Sequence, residues 1–191
     1  MKKLIYLTLL ASLFYACSKD CERYNETRNV NVSNLSIVIP YTDTSTVKFI
    51  KNGTDTLTYT SQGLKETYTD SYESNTRSGG CGTNLKLQQY SLKMKHSDNE
   101  FFEIKFYRNY SSSNYIDLNI NGVDFNKLSA PEYVAINSEL TGEYLDNYVI
   151  NNITYSNVSK ININKETYFS FKPKIGLLKA VVNNNTYELI N

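Results

Sequence analysis

Thr46-Val47-Lys48-Phe49-Ile50-Lys51-Asn52-Gly53-Thr54-Asp55-Thr56-Leu57-Thr58-Tyr59-Thr60 holds two runs rich in β-formers around an Asn-Gly pair. Asn and Gly both tolerate positive φ, which a tight type I′ turn needs at its two central residues. That turn matches the twist of antiparallel strands, so this stretch predicts a hairpin. The pattern spreads outward from there. Residues 85–95 and Phe101–Arg108 flank the polar turn His96-Ser97-Asp98-Asn99-Glu100. Residues 144–150 and 153–163 flank Asn151-Asn152, and residues 177–182 and 187–190 flank Asn183-Asn184-Asn185. Ile116, Leu118 and Ile120 alternate with Asp117, Asn119 and Asn121, the period of a half-buried strand. Residues 64–69, 133–137 (opened by Ala130-Pro131) and 168–172 read as further strands. Val30, Val32, Leu35, Ile37 and Ile39 predict a first strand, closed by Pro40. Residues 70–84 and 110–114 read as polar loops, and no stretch carries a helical period.

Composition agrees. The chain has 191 residues, room for one domain. It holds 24 Asn and 17 Tyr against five Ala, so helix builders are scarce while residues suited to a pleated surface abound. About twelve strands with short connections, and no shift in composition, predict a single all-β domain over residues 28–191. Its topology is a largely antiparallel meander, closed as a barrel, an incomplete barrel or a sandwich. Twenty Lys and Arg balance 19 Asp and Glu, for a net charge of +1. That leaves no long-range field to draw nucleic acid, which is therefore not an expected partner.

The start of the chain has a different logic. Met1-Lys2-Lys3 precedes an uncharged, mostly apolar run over residues 4–15, then Ala16 and Cys17. This is the layout of a secretory signal, and the run is too short to span a bilayer, which takes about 20 apolar residues. Phe14-Tyr15-Ala16-Cys17 resembles a bacterial lipobox of the relaxed kind found in Bacteroidota, with Tyr15 and Phe14 where a small residue and Leu are common. The resemblance implies that residues 1–16 are removed and that Cys17 is acylated, with palmitate-type chains. Residues 17–27 then form a tether. Each buried methylene adds roughly 0.8 kcal/mol, so two or three chains make a lasting anchor. The expected location is the cell envelope, on the outer membrane, facing either the periplasm or the exterior. Ser18-Lys19-Asp20-Cys21-Glu22 resembles a surface-export signal, interrupted by Lys19 and Cys21.

Once Cys17 carries lipid, Cys21 and Cys81 remain. An even pair in an oxidising compartment reads as a disulfide. Its loop of about 60 residues corresponds to roughly 4 kcal/mol in the chain-entropy picture. A free thiol and an intermolecular bridge are the alternatives. Asn151-Asn152-Ile153-Thr154-Tyr155-Ser156-Asn157-Val158, and the stretch from Tyr168-Phe169 through Lys174-Ile175-Gly176-Leu177-Leu178-Lys179 to Thr186-Tyr187-Glu188-Leu189, resemble segments of uncharacterised Bacteroidota lipoproteins. In those the first turn is usually Asn-Gly, where this chain has Asn152. The resemblance implies a fold and a location and no activity.

Catalytic parts are scarce. His96 has Ser97, Asp98 and Glu100 nearby, but a nucleophile, base and orienting group are normally assembled across a fold rather than within one turn. Glu100 and Glu103 invite comparison with a glycosidase pair, yet they sit at an ordinary strand start. No phosphate loop, CxxC or HExxH is present, and Asp98-Asn99-Glu100 offers too few ligands for a calcium loop. No catalytic residue, metal site or cofactor is expected, and the chain reads as a non-enzyme. The tyrosines are the one chemical surplus. Tyr107, Tyr155, Tyr168 and Tyr187 are read as lying on the polar side of their strands, a face for a glycan, a peptide or an envelope protein. Asp55-Thr56-Leu57 resembles a Bacteroidota O-glycosylation motif, with Thr56 as acceptor. Two other readings compete: a carrier with an apolar ligand in a half-barrel cavity lined by Leu92, Met94, Phe102, Ile104, Phe106, Ile116, Leu118 and Ile120, and a hydrolase without a recognisable motif.

Two outcomes are expected. Cys17→Ala moves the protein from the detergent phase to the aqueous phase on phase partitioning. Peptide mapping without reduction recovers Cys21 joined to Cys81, whereas two alkylatable thiols in the folded protein rule the bridge out.

Overall fold

The computed structural model describes residues 24–73, 82–108, 114–129 and 141–190. Cys17, Cys21, Cys81, the signal segment and the strand expected over residues 133–137 lie outside the described residues. The domain is all-β, an eleven-strand antiparallel sheet curled into a half-barrel, with one short helix.

The strand order follows from local hairpins. β1 (Tyr24–Arg28) is the first element among the described residues, and α1 (Leu35–Val38) follows a 3₁₀ turn at Val32–Asn34. A meander then runs β2 (Thr46–Lys51), β3 (Asp55–Glu73), β4 (Thr83–Lys95), β5 (Phe101–Arg108), β6 (Asn114–Ile120) and β7 (Val123–Ser129). The second half runs β8 (Thr141–Leu145), β9 (Tyr148–Ile150), β10 (Ile153–Tyr155), β11 (Val158–Asn164), β12 (Thr167–Lys172), β13 (Gly176–Val182) and β14 (Asn185–Ile190). β14 pairs with β2, so the order is β7-β6-β5-β4-β3-β2-β14-β13-β12-β11-β8. β9 and β10 form a separate hairpin, and β1 adds to β4 in parallel.

The turns explain the asparagines. Asn52-Gly53, Asn121-Gly122, Asn151-Asn152 and Asn183-Asn184 all have positive φ at both residues, between 50° and 86°. Only Gly and, among side-chain residues, chiefly Asn accept that conformation cheaply. Asn52 works twice: its amide donates to Asn185 Oδ1 at 2.9 Å and its carbonyl accepts from Thr186 N at 2.9 Å, which stitches the first turn to the last strand.

Alternation decides the core. In β5, Phe102, Ile104 and Phe106 are buried while Phe101, Glu103, Lys105 and Tyr107 face out, and β6 repeats this with Ile116, Leu118 and Ile120. The curl brings Phe125 of β7 against Phe169 of β12, edge to face at 4.8 Å. The segment from Val30 to Tyr41 plugs one mouth of the half-barrel: Val30, Val38, Ile39 and Tyr41 all join the core. The Tyr41 ring meets Phe102 at 5.6 Å, and its hydroxyl accepts from Leu177 N at 2.9 Å. Gly176 makes room for it, since a Cβ there would lie 2.0 Å from the Tyr41 oxygen. A void of about 10 Å3 remains between Phe49, Tyr59, Phe102, Ile120, Leu177 and Tyr187, at the lower limit for one water.

The sequence reading differs from this structure at five places. The strand expected from Val30 to Ile39 is the 3₁₀ turn and α1. Asn31 caps it, accepting from Ser33 N at 3.1 Å, and the buried residues fall at Val30, Val38 and Ile39 rather than at every second position. Residues 64–69 are the middle of β3 and not a separate strand; a bulge between Ser61 and Leu64 makes the join. The strands expected over 144–150 and 153–163 each break, so that β8 pairs with β11 and β9 with β10. β7 was not anticipated, although Asn121-Gly122 carries the same signal as Asn52-Gly53. β1 also takes in residues 24–27, which the sequence assigns to the tether.

At the other mouth, Glu100 fastens the seam between β2 and β14. Lys51 donates to its Oε1; Tyr187 at 2.8 Å, Asn121 at 3.1 Å and Tyr59 at 3.5 Å donate to Oε2. Burial alone would raise the Glu100 pKa, but the bonds from Lys51 and Tyr187 outweigh it and hold the carboxyl below its usual 4.5. A depressed pKa adds stability above the unfolded value and loses it as pH falls through the folded one. Glu100→Gln therefore costs about 2 kcal/mol at neutral pH. The gap from wild type, measured by urea unfolding, narrows once pH drops below about 4.5. A gap that is constant with pH refutes the assignment.

Candidate binding face

β3 and β4 are longer than the half-barrel. β5 covers β4 only from Gln89 to Lys95, and β1 takes the vacated edge from Thr83 to Leu87. Residues 65–73 of β3 with the first part of β4 and β1 thus form a three-stranded arm. Its face that continues the concave side carries Glu66, Tyr68, Asp70 and Tyr72 on β3, and Tyr90, Gln88, Lys86 and Asn84 opposite them.

Gln88 organises the base of this face. It is 7% exposed and fully engaged. Its carbonyl accepts from Val30 N at 2.9 Å, and its amide donates to Glu66 at 2.7 Å and to the Tyr90 hydroxyl at 3.0 Å. Tyr68 donates to Glu66 at 2.7 Å. Hydrogen bonds from Gln88 and then Tyr68 hold the Glu66 carboxyl below its usual value, so it stays an acceptor that orients the phenol. The Tyr68 ring is nevertheless 50% exposed and Tyr72 60%. Tyr72 lies over Gly82, where a Cβ would come within 2.0 Å of its oxygen, so even this exposed ring has a fixed seat. Asn84 donates to Asn25 at 3.2 Å across the β4–β1 pair. A groove of about 640 Å3 runs here, lined in part by Asn25, Thr27, Asp70, Asn84 and Lys86. That volume lies within the roughly 300–1,000 Å3 of small-molecule sites. Two oriented aromatic faces beside short amides, a carboxylate and an ammonium suit a ligand with many hydroxyl or amide groups.

The four tyrosines expected to form a face do not share one. Tyr187 is 4% exposed and Tyr155 7%; both rings belong to the core. In β14 the inward positions are Tyr187 and Leu189, and the polar neighbours Thr186 and Glu188 point the other way. Burial first, and Glu100 next, push the Tyr187 phenol well up, so it remains a donor. Tyr107 and Tyr168 are half-buried on the convex side, on opposite halves of the sheet. Tyr107 stacks on Tyr115 at 6.0 Å and donates to Asp117 at 3.2 Å; Lys160 sits 4.8 Å over the Tyr168 ring. Thr56 is exposed at the start of β3, open to modification.

The catalytic candidates are dispersed. His96 Nδ1 lies 2.9 Å from Thr58 O and Asp98 pairs with Lys95, so neither orients the other. Glu100 points to the core rim, where its oxygens are occupied, and Glu103 lies on the opposite face. Sequence reasoning missed both rings: Tyr68 falls in the short strand expected over residues 64–69 without being singled out, and Tyr72 falls in residues 70–84, which read as a loop. The alternation of Glu66, Tyr68, Asp70 and Tyr72 was the available signal.

No protein-family model, curated protein or solved structure matches the chain.

Proposed function

We propose that this is a lipid-anchored, non-enzymatic binding protein of the cell envelope, held through Cys17, whose arm groove takes a glycan. The observation that carries the reading is the pair of exposed rings, Tyr68 and Tyr72, on the face of β3 where they flank Asp70, a residue of the groove of amides and charges. Rigid aromatic faces lose little entropy when a sugar stacks on them, and short amides match its hydroxyls. The alternative of an apolar-ligand carrier loses support from the plugged mouth and from a half-barrel packed by Phe, Leu and Ile side chains, with Met94 among them. The hydrolase alternative loses support from the separation of His96, Asp98, Glu100 and Glu103. Cys21, near the anchor, and Cys81, next to Gly82, would clamp the arm if they join.

A glycan array probed with the exported protein, its lipid removed by Cys17→Ala, tests the reading. Tyr68→Ala and Tyr72→Ala each weaken the best ligand by about tenfold, the worth of one aromatic contact. Their urea midpoints stay near wild type because both rings are largely exposed. A blank array, or binding unchanged in both variants, overturns the proposal, as does turnover of the bound glycan.

A further inference from the structure

We propose a second ligand site on the convex face at the bulge of β3, which takes the carboxylate of an acidic sugar. The bulge leaves a hollow of about 250 Å3, lined among others by Gln62, Lys65, Ser91, Lys93, Lys95 and Glu103. The volume falls below that of sites for whole drug-sized ligands, so the hollow takes one group of a larger molecule.

Its charges are unequal. Lys95 is neutralised by Asp98 at 2.5 Å, and Glu103 leans to Lys105 at 3.9 Å. Lys65 and Lys93 make no ion pair among the described residues, although Glu103 stands opposite Lys93 in register and shares the hollow. Lys93 is held with its ammonium 3.8 Å over the Phe101 ring, which fixes the charge without cancelling it. Three ammonium groups against Asp98 and Glu103 leave the hollow one positive charge in excess, and with the hydroxyl of Ser91 and the amide of Gln62 it selects an anion with further acceptors.

The neighbouring rows decide which anion. Register places Lys65, Ser91, Lys105 and Asp117 in one row across the sheet, and Gln89, Tyr107 and Tyr115 in the next. From Glu103 to Tyr107 is four residues of strand, about 13 Å. The stacked Tyr107–Tyr115 pair thus stands one short oligosaccharide away from Lys93, with the row of Lys65, Ser91 and Lys105 between and Gln89 beside the pair. A free phosphate would gain nothing from that strip. It would also seek a nest of backbone N–H groups, and the Gly63 N–H is already taken by Ser61 Oγ at 3.2 Å. This site uses the opposite face of β3 and β4 from the arm groove, so it does not rest on the glycan assigned there.

Calorimetric titration of the full exported chain, lipid removed, with trigalacturonate tests the proposal, beside the carboxyl-reduced trisaccharide and inorganic phosphate. Trigalacturonate binds, and the neutral analogue and phosphate each bind at least tenfold more weakly. The double variant Lys65→Gln/Lys93→Gln also loses at least tenfold while its urea midpoint falls only slightly, since neither ammonium group has an ion pair and only the Lys93–Phe101 contact is lost. Tyr68→Ala leaves trigalacturonate affinity intact, which separates this site from the arm. Equal binding of the neutral trisaccharide, phosphate binding as tight as the uronide, no binding of trigalacturonate, or an unaffected double variant each overturns it.

Discussion

The carboxylate of Glu100 sits where the two halves of the sheet meet. Lys51 and Tyr187 are register partners across the β2–β14 seam, and both give their side chains to this one group. Tyr59 adds β3 and Asn121 adds the β6–β7 turn, so strands from opposite halves are tied at one mouth. A charged acceptor with several donors is worth more than the same donors scattered to water, because each bond strengthens in the partly dry rim. Asn52 repeats the tie with its side-chain amide, joining the first turn to Asn185 and Thr186.

The opposite mouth is closed by hydrophobic means. Val38, Ile39 and Tyr41 enter the half-barrel, and the Ile37 carbonyl accepts from Lys174 N at 3.0 Å. A half-barrel left open would expose its concave face, so the plug turns a curved sheet into a packed domain. It also sets the base of the arm, because Val30, the first residue of the plug, holds Gln88 in place. Core and arm are thereby coupled: the residue that begins to fill the interior also orders the polar network outside it.

Much of the fold was legible because two signals agreed. Asn-rich turns marked hairpins, and the period of two in β5 and β6 marked which side was wet. The reading failed where those signals parted. Over residues 30–39 the apolar residues kept strand spacing, but Asn31 and Ser33 offered local hydrogen bonds that started a helical turn instead. For Tyr187 and Tyr155, an amphipathic side chain concealed its own direction, since a phenol fits either a core with a partner or a surface. The β3 part of the arm was hidden because its residues are largely polar on both faces, although Leu85 and Leu87 of β4 share one face of it. A strand that extends past the core has no apolar stripe to betray it, only paired neighbours in another part of the chain.

The β2–β14 seam has a consequence for how the protein is made. It joins one of the earliest strands to the last, and the bond from Leu177 to Tyr41 spans 136 residues of sequence. The meander β2–β7 can form from short-range contacts as soon as it is synthesised, whereas the seam must wait for the whole chain. Until β14 arrives, β2 presents an unpaired edge, and such edges recruit other strands. Passage to the folded state thus includes an interval in which half of the sheet is complete and adhesive, an interval best served by a carrier that keeps chains apart until the final six-residue strand is delivered.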